Sequence, residues 1–244
     1  MEPKGDSPLD ESEPTDQRER AGTTIRLHAA DGHTLNAYRV HPRKPASGAL
    51  VVLHEIFGVT AHIRNVCDRF AADGYSVVAP ALFDRVRPGV ELGYDADGIA
   101  AGRVLRDAIG WDASLRDVQA AIDAAAADGP VAVLGFCLGG TLAFLAAARL
   151  TGLYSAVGYY GGQIAQFIDE TPRVPLLLHF GDFDPRVGAE DRERIRRRHP
   201  EAEIHSHPAD HGFNCDHRKE WHAPSAAKAL AITLDFLDRH RPPA

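Results

Sequence analysis

Short apolar runs alternate with longer amphipathic stretches along most of this chain. Gly48–His54 (GALVVLH) is continuously apolar, as expected of a strand covered on both faces. Ser76–Pro80, the apolar run from Val131, Ala156–Tyr160, Pro175–Phe180 and Glu203–His207 read as further strands. Between them the spacing predicts helices from Thr60 to about Ala72, over Asp97–Ile109 and Asp112–Ala127, from Thr141 to Leu150, and from about Pro224 to Arg239. Thr60 stands where a capping hydroxyl is favoured, and Asp128-Gly129-Pro130 is a stop signal. Near the start, Thr24–His28 and Thr34–Val40 flank Asp31-Gly32, a hairpin turn signal. Strands alternating with helices predict an α/β chain: a mainly parallel twisted sheet, helices on both faces, and an antiparallel edge from the N-terminal hairpin. Residues 1–21 are polar and acidic and cannot offset their ordering entropy by burial. We expect a disordered tail there and one domain over residues 22–244.

Charge and cysteine usage narrow the function. The formal net charge of −7 argues against a nucleic-acid partner. Basic residues crowd only in Arg192–Arg198, which reads as the solvated face of a surface helix. Cys67, Cys137 and Cys215 make no even disulfide framework and match no zinc spacing. No run approaches membrane-spanning length, and the first residues lack the apolar core of a signal peptide. The expectation is a cytoplasmic protein without a membrane partner, acting as a monomer or small homo-oligomer.

The chemistry concentrates at Val131–Gly140 (VAVLGFCLGG), where an apolar strand runs into Gly-x-Cys-x-Gly-Gly and then an alanine-rich helix. That is the strand–turn–helix of a nucleophile elbow, with cysteine in the place serine usually holds. Gly135 and Gly139 flank Cys137 symmetrically, as so tight a turn requires. A buried structural cysteine is the plainer alternative. A thiol needs a base, and on such a sheet the partners follow in the order nucleophile, acid, histidine. Asp184, in Gly181-Asp182-Phe183-Asp184-Pro185, is the first choice of acid and Asp182 the reserve. Among 13 histidines, His211 in His-Gly-Phe-Asn stands third in that order, just past a predicted strand. The run His54-Glu55-Ile56-Phe57-Gly58 closes the buried strand, so the backbone N–H groups of Ile56 and Leu138 are the candidate oxyanion donors. Glu55 falls at the same strand end, where a carboxylate would oppose thiolate formation.

The motifs HEIFGV (54–59), GFCLGG (135–140), HFGDFD (179–184) and HGFN (211–214), in that order, resemble those of the dienelactone hydrolase family, carboxymethylenebutenolidases on the α/β-hydrolase fold. The resemblance runs from about residue 24 to the C-terminus. It implies a Cys137–Asp184–His211 triad, an acyl-cysteine intermediate and a small lactone or ester substrate, with no cofactor and no metal. It further implies that Glu55 takes part in switching the cysteine from neutral thiol to thiolate. Family substrates carry a carboxylate bound by arginines; Arg85 resembles one of these, while Cys215 stands where the other is expected and Arg218 is displaced. Two alternatives stay open: a broad-range carboxylesterase or thioesterase, and a non-catalytic redox-sensing domain in which Cys215 resolves an oxidised Cys137. A metal site among His205, His207, His211, His217 and His222 is weighed and set aside, since no convincing ligand spacing completes it.

Overall fold

The computed structural model describes residues 22–243, so the expected tail over 1–21 lies outside them. Eight strands make one sheet: β1 (Thr23–His28), β2 (Thr34–Val40), β3 (Gly48–Leu53), β4 (Tyr75–Pro80), β5 (Val131–Phe136), β6 (Leu153–Tyr159), β7 (Leu176–Gly181) and β8 (Glu203–His207). Their order is β1-β2-β4-β3-β5-β6-β7-β8. β2 is antiparallel to both neighbours, and every other neighbouring pair is parallel. The hairpin therefore forms the antiparallel edge as expected, closed by Gly32 at φ 83°.

The helices are α1 (Ala61–Ala72), α2 (Ala96–Ile109), α3 (Trp111–Ala125), α4 (Leu138–Arg149), α5 (Ala189–Arg198) and α6 (Ala223–His240). The sheet's period of two sorts its side chains between two cores. Leu50 and Val52 of β3 join Ile63, Val66 and Phe70 of α1 and Phe236 of α6. Val51 and Leu53 point the other way, to Val118 of α3 and Leu142 and Phe144 of α4. Each such side chain, fully removed from water, contributes about 1.5–3 kcal/mol. β3, β4, β5 and β7 are buried along their whole length, which is why their sequences show no alternation.

This topology positions the site. The chain leaves β3 for β4 on one side, then returns to lay β5 on the other. A crevice opens at such a switch point beyond the carboxyl ends of the strands. The loop after β3 and the turn after β5 are its two lips.

Three local expectations need correction. Thr60 precedes α1 but gives it no side-chain cap; its hydroxyl is bonded to the Tyr94 hydroxyl at 2.8 Å instead. α4 begins at Leu138, immediately after the elbow cysteine, rather than at Thr141. Arg192 is not solvated: its guanidinium donates to the carbonyl oxygens of Gly181 and Val187 at 3.1 and 2.8 Å. The rest of that run behaves as expected, with Arg194 and Arg196 paired to Asp191 and Glu193 along the helix.

The elbow admits no larger residues at its flanks. A Cβ on Gly139 would lie 2.2 Å from the Leu53 carbonyl oxygen, and one on Gly135 would lie 2.0 Å from the Gly139 carbonyl oxygen. Both obstacles are backbone, so neither can swing aside. Gly139→Ala should therefore cost about 1–3 kcal/mol or more of stability, read as a lowered midpoint in urea unfolding. A midpoint equal to wild type would show that the turn is looser than described.

Candidate active site

β5 delivers Cys137 into a turn with φ 53° and ψ −107°. The cysteine N–H is held by the Tyr159 carbonyl at 3.0 Å, and its own carbonyl accepts from Thr141 at 3.1 Å. The Gly139 N–H donates to the His54 carbonyl at 3.1 Å, which ties the elbow to the loop after β3. Leu138 opens α4, where first-turn N–H groups have no intrahelical acceptor. Ile56 and Leu138 both line a cavity of about 360 Å³ that also exposes Cys137 and His211.

The acid arrives on the loop after β7. Arg192 pins that loop from below, and the Phe183 N–H reaches the Ala209 carbonyl at 3.0 Å, joining it to the loop after β8. Asp184 is buried, accepts from the Arg186 N–H at 2.7 Å, and lies 2.8 Å from His211 Nδ1. Asp182, the reserve acid, is exposed and faces Arg192. Gly212, at φ 82°, bends the chain directly after His211. His211 Nε2 lies 3.1 Å from Cys137 Sγ. Carboxylate, imidazole and sulfur thus form one line drawn from three loops.

That line sets the charge on the ring. Burial alone would depress the His211 pKa. The electrostatic attraction of Cys137, with the hydrogen bonds that the ring makes to Asp184 and Cys137, overcomes it and raises the ring to about 9. The folded state thus favours the protonated ring. The stability gained is fully present below the ordinary histidine value of 6.5 and is lost as pH rises through about 9.

Glu55 is only 1% exposed. Arg218 Nη1 donates to it at 3.2 Å and Arg218 Nε donates to Glu220 at 3.3 Å. The same guanidinium lies over the Phe57 ring, 5.6 Å from its centre. Burial and the Glu55 charge push the Cys215 thiol up to about 12, and raise the Tyr160 hydroxyl well above its ordinary value. Behind them His62 Nδ1 is bonded to Asp216 at 2.8 Å. Arg218 thus neutralises the buried Glu55 charge.

Arg85 does not reach this cavity. Its guanidinium is held by Asp117 at 2.7 and 2.8 Å and by Asp31, with the Asp117 side chain wholly buried. Its expected role in holding substrate gives way to a structural one. The late histidines are equally dispersed. His207 is bonded to His179 in the core at 3.1 Å, and His222 to Ser225 at 2.7 Å.

The chain has clear relatives. Residues 35–241 match the model of the dienelactone hydrolase family. A carboxymethylenebutenolidase of Pseudomonas putida is 34% identical over 224 residues, covering 87% of this chain and 94% of its own. The chain belongs to the dienelactone hydrolase family. It is an ester hydrolase of that type, built on the α/β-hydrolase fold. Carboxymethylenebutenolidase 1 of Cupriavidus pinatubonensis is 29% identical, over 90% of this chain and 98% of its own. A crystal structure from Klebsiella pneumoniae superposes with a TM-score of 0.75 at 28% identity, covering 89% of this chain and 99% of that one. A dienelactone hydrolase-like promiscuous phosphotriesterase from metagenomic libraries shares the fold, with a TM-score of 0.72 at 21% identity over 91% of this chain and all of that one.

The arginines that do line the cavity are Arg103, Arg106, Arg186 and Arg218. Only Arg218 drew notice in the sequence, and as a displaced one. Ile99, Arg103 and Arg106 recur at helical spacing, but an exposed polar stripe carries no mark of what it faces.

Two outcomes are expected. Removing the Asp184 charge in Asp184→Asn should move the His211 titration well below about 9, followed by NMR of the ring proton; an unmoved titration would contradict the assigned cause. Arg85→Ala should cost about 3–5 kcal/mol, because it strands a buried carboxylate, while leaving KM unchanged. A raised KM with stability intact would restore Arg85 to the binding site.

Proposed function

We propose that this chain hydrolyses a small lactone or activated ester through an acyl-cysteine, with Cys137 as nucleophile, His211 as general base and acid, and Asp184 orienting the imidazole. The observation that carries the reading is the unbroken contact line Asp184–His211–Cys137, at 2.8 and 3.1 Å, ending at the cavity.

The raised basicity of His211 favours transfer of the Cys137 proton to its Nε2, and the sulfur so released adds to the substrate carbonyl carbon. Negative charge then develops on the carbonyl oxygen, where the N–H groups of Ile56 and Leu138 receive it; each well-aimed donor is worth about 3 kcal/mol. Collapse breaks the acyl C–O bond, and the departing oxygen takes the proton from His211, as the bond breaks or, for a stable enolate, just after it has left. Water, deprotonated by His211, next attacks the thioester carbon. The C–S bond breaks, the carboxylate product leaves and the thiol is restored. A thiolate suffices when the leaving oxygen is stabilised, which favours enol lactones and activated esters over amides.

Glu55 acts as a regulator in this scheme. Paired with Arg218 it is held away from proton chemistry, and an anionic substrate that engages Arg218 loosens that hold. The redox-sensing alternative fits poorly, because Cys215 is buried and its thiol is held at about 12, a weak partner for exchange. Three free thiols suit a reducing, cytoplasmic setting.

Ester hydrolysis by purified protein tests the reading. Cys137→Ala should lower kcat by about 10³-fold or more, and Asp184→Asn by about 10²-fold or more. Near-normal turnover in both would overturn the triad. Glu55→Gln removes a negative charge near the sulfur, so iodoacetamide should label the resting thiol faster at neutral pH. An unchanged rate across pH would exclude Glu55 from the control of Cys137.

A further inference from the structure

The cavity carries charge that the hydrolytic scheme leaves unused. Ile99, Arg103 and Arg106 share one face of α2 and all line the cavity. Gly102 lets that face settle: a Cβ there would lie 2.1 Å from the Ile56 carbonyl oxygen. α2 is thereby held against the loop that carries the oxyanion donor, with Arg103 beside the contact. Arg186 enters from the loop after β7. Its N–H is bonded to Asp184 at 2.7 Å. Its Cβ and His211 Cε1 lie 3.9 and 4.0 Å from the point a Gly162 Cβ would occupy. Arg186 and the imidazole therefore both flank Gly162, and both residues line the cavity.

Among the described residues, four arginines line this cavity and no aspartate or glutamate does, although the chain holds 34 acidic against 27 basic residues. Arg218 is matched by Glu55 and Glu220. Arg106 is paired with Asp107 and bonded to Gln163. Among the described residues, the guanidinium groups of Arg103 and Arg186 make no hydrogen bond or ion pair. Like charges left unmatched around one small cleft focus a field for an anion, and the planar fork of arginine matches a carboxylate.

We propose that Arg103 and Arg186 form a second anion subsite, so that the preferred substrate is a compact ester or lactone bearing two carboxylates, one at Arg218 and one at Arg103 and Arg186. This rests on Cys137 being the nucleophile and adds the substrate class to that reading. The volume of about 360 Å³ is at the small end for ligand sites, which suits a short di-acid better than a long acyl chain.

The test compares p-nitrophenyl esters that share a leaving group and differ in acyl charge. These are the pentanoate with no carboxylate, the glutarate monoester with one, and the tricarballylate monoester with two. In the wild type, kcat/KM for the two-carboxylate ester should exceed that for the one-carboxylate ester by about tenfold or more. Arg103→Gln and Arg186→Gln should each cut that ratio about fivefold, whereas Arg26→Gln, on the exposed edge strand, should leave it unaltered. Raising ionic strength from about 0.05 to about 0.5 M should shrink the ratio in the wild type. A wild-type ratio near one, or a ratio preserved in both cavity variants, overturns the subsite. Failure of the underlying reading looks different: all the esters would then still turn over in Cys137→Ala.

Discussion

The positive φ at Cys137 is the constraint on which everything else in this molecule turns. A non-glycine residue held at φ 53°, ψ −107° costs about 1–3 kcal/mol and persists only where its surroundings over-determine it. Here they do. β5 is buried along its length below the turn, α4 starts one residue later, and Gly135 and Gly139 pack backbone against backbone where no Cβ fits. The strained geometry lifts the sulfur out of the sheet and opens a helix N-terminus beside it.

Electrostatics completes what the backbone begins. A cysteine at a sheet edge is an ordinary weak acid until an imidazole of raised basicity stands next to it. Asp184 and Cys137 together hold His211 at about 9 against the burial that would lower it. Glu55 is buried at the end of β3, and Arg218 neutralises it. The site thus pairs its charges except at Arg103 and Arg186, where the unpaired groups face the cavity.

Much of this is legible in the residues. The glycine-bracketed cysteine, the buried apolar strands and the chain order of acid and histidine all depend on local spacing, and the structure brings Cys137, Asp184 and His211 within hydrogen-bond reach. The failures share one cause: each side chain meets a partner that the spacing of its own segment does not announce. Arg192 looks solvated within a charged run, yet two carbonyl oxygens of the acid loop claim it. Arg85 resembles a substrate-binding arginine, yet Asp117 and Asp31 claim it. Thr60 has the right residue type for a cap, but Tyr94 offers its hydroxyl a competing partner. Arg103 and Arg186 carry no local signal, because their meaning comes from the cavity they meet.

The central claim is that the Cys137 sulfur carries the acyl group between the two halves of the reaction. Rapid acid quench during turnover of an activated ester, followed by peptide mass mapping, tests it directly. A transient mass gain equal to the acyl group is expected on the peptide containing Cys137, sensitive to hydroxylamine and lost again as substrate is exhausted. Sustained turnover with that peptide unmodified at every quench time, or an acyl group found on another side chain, would contradict it.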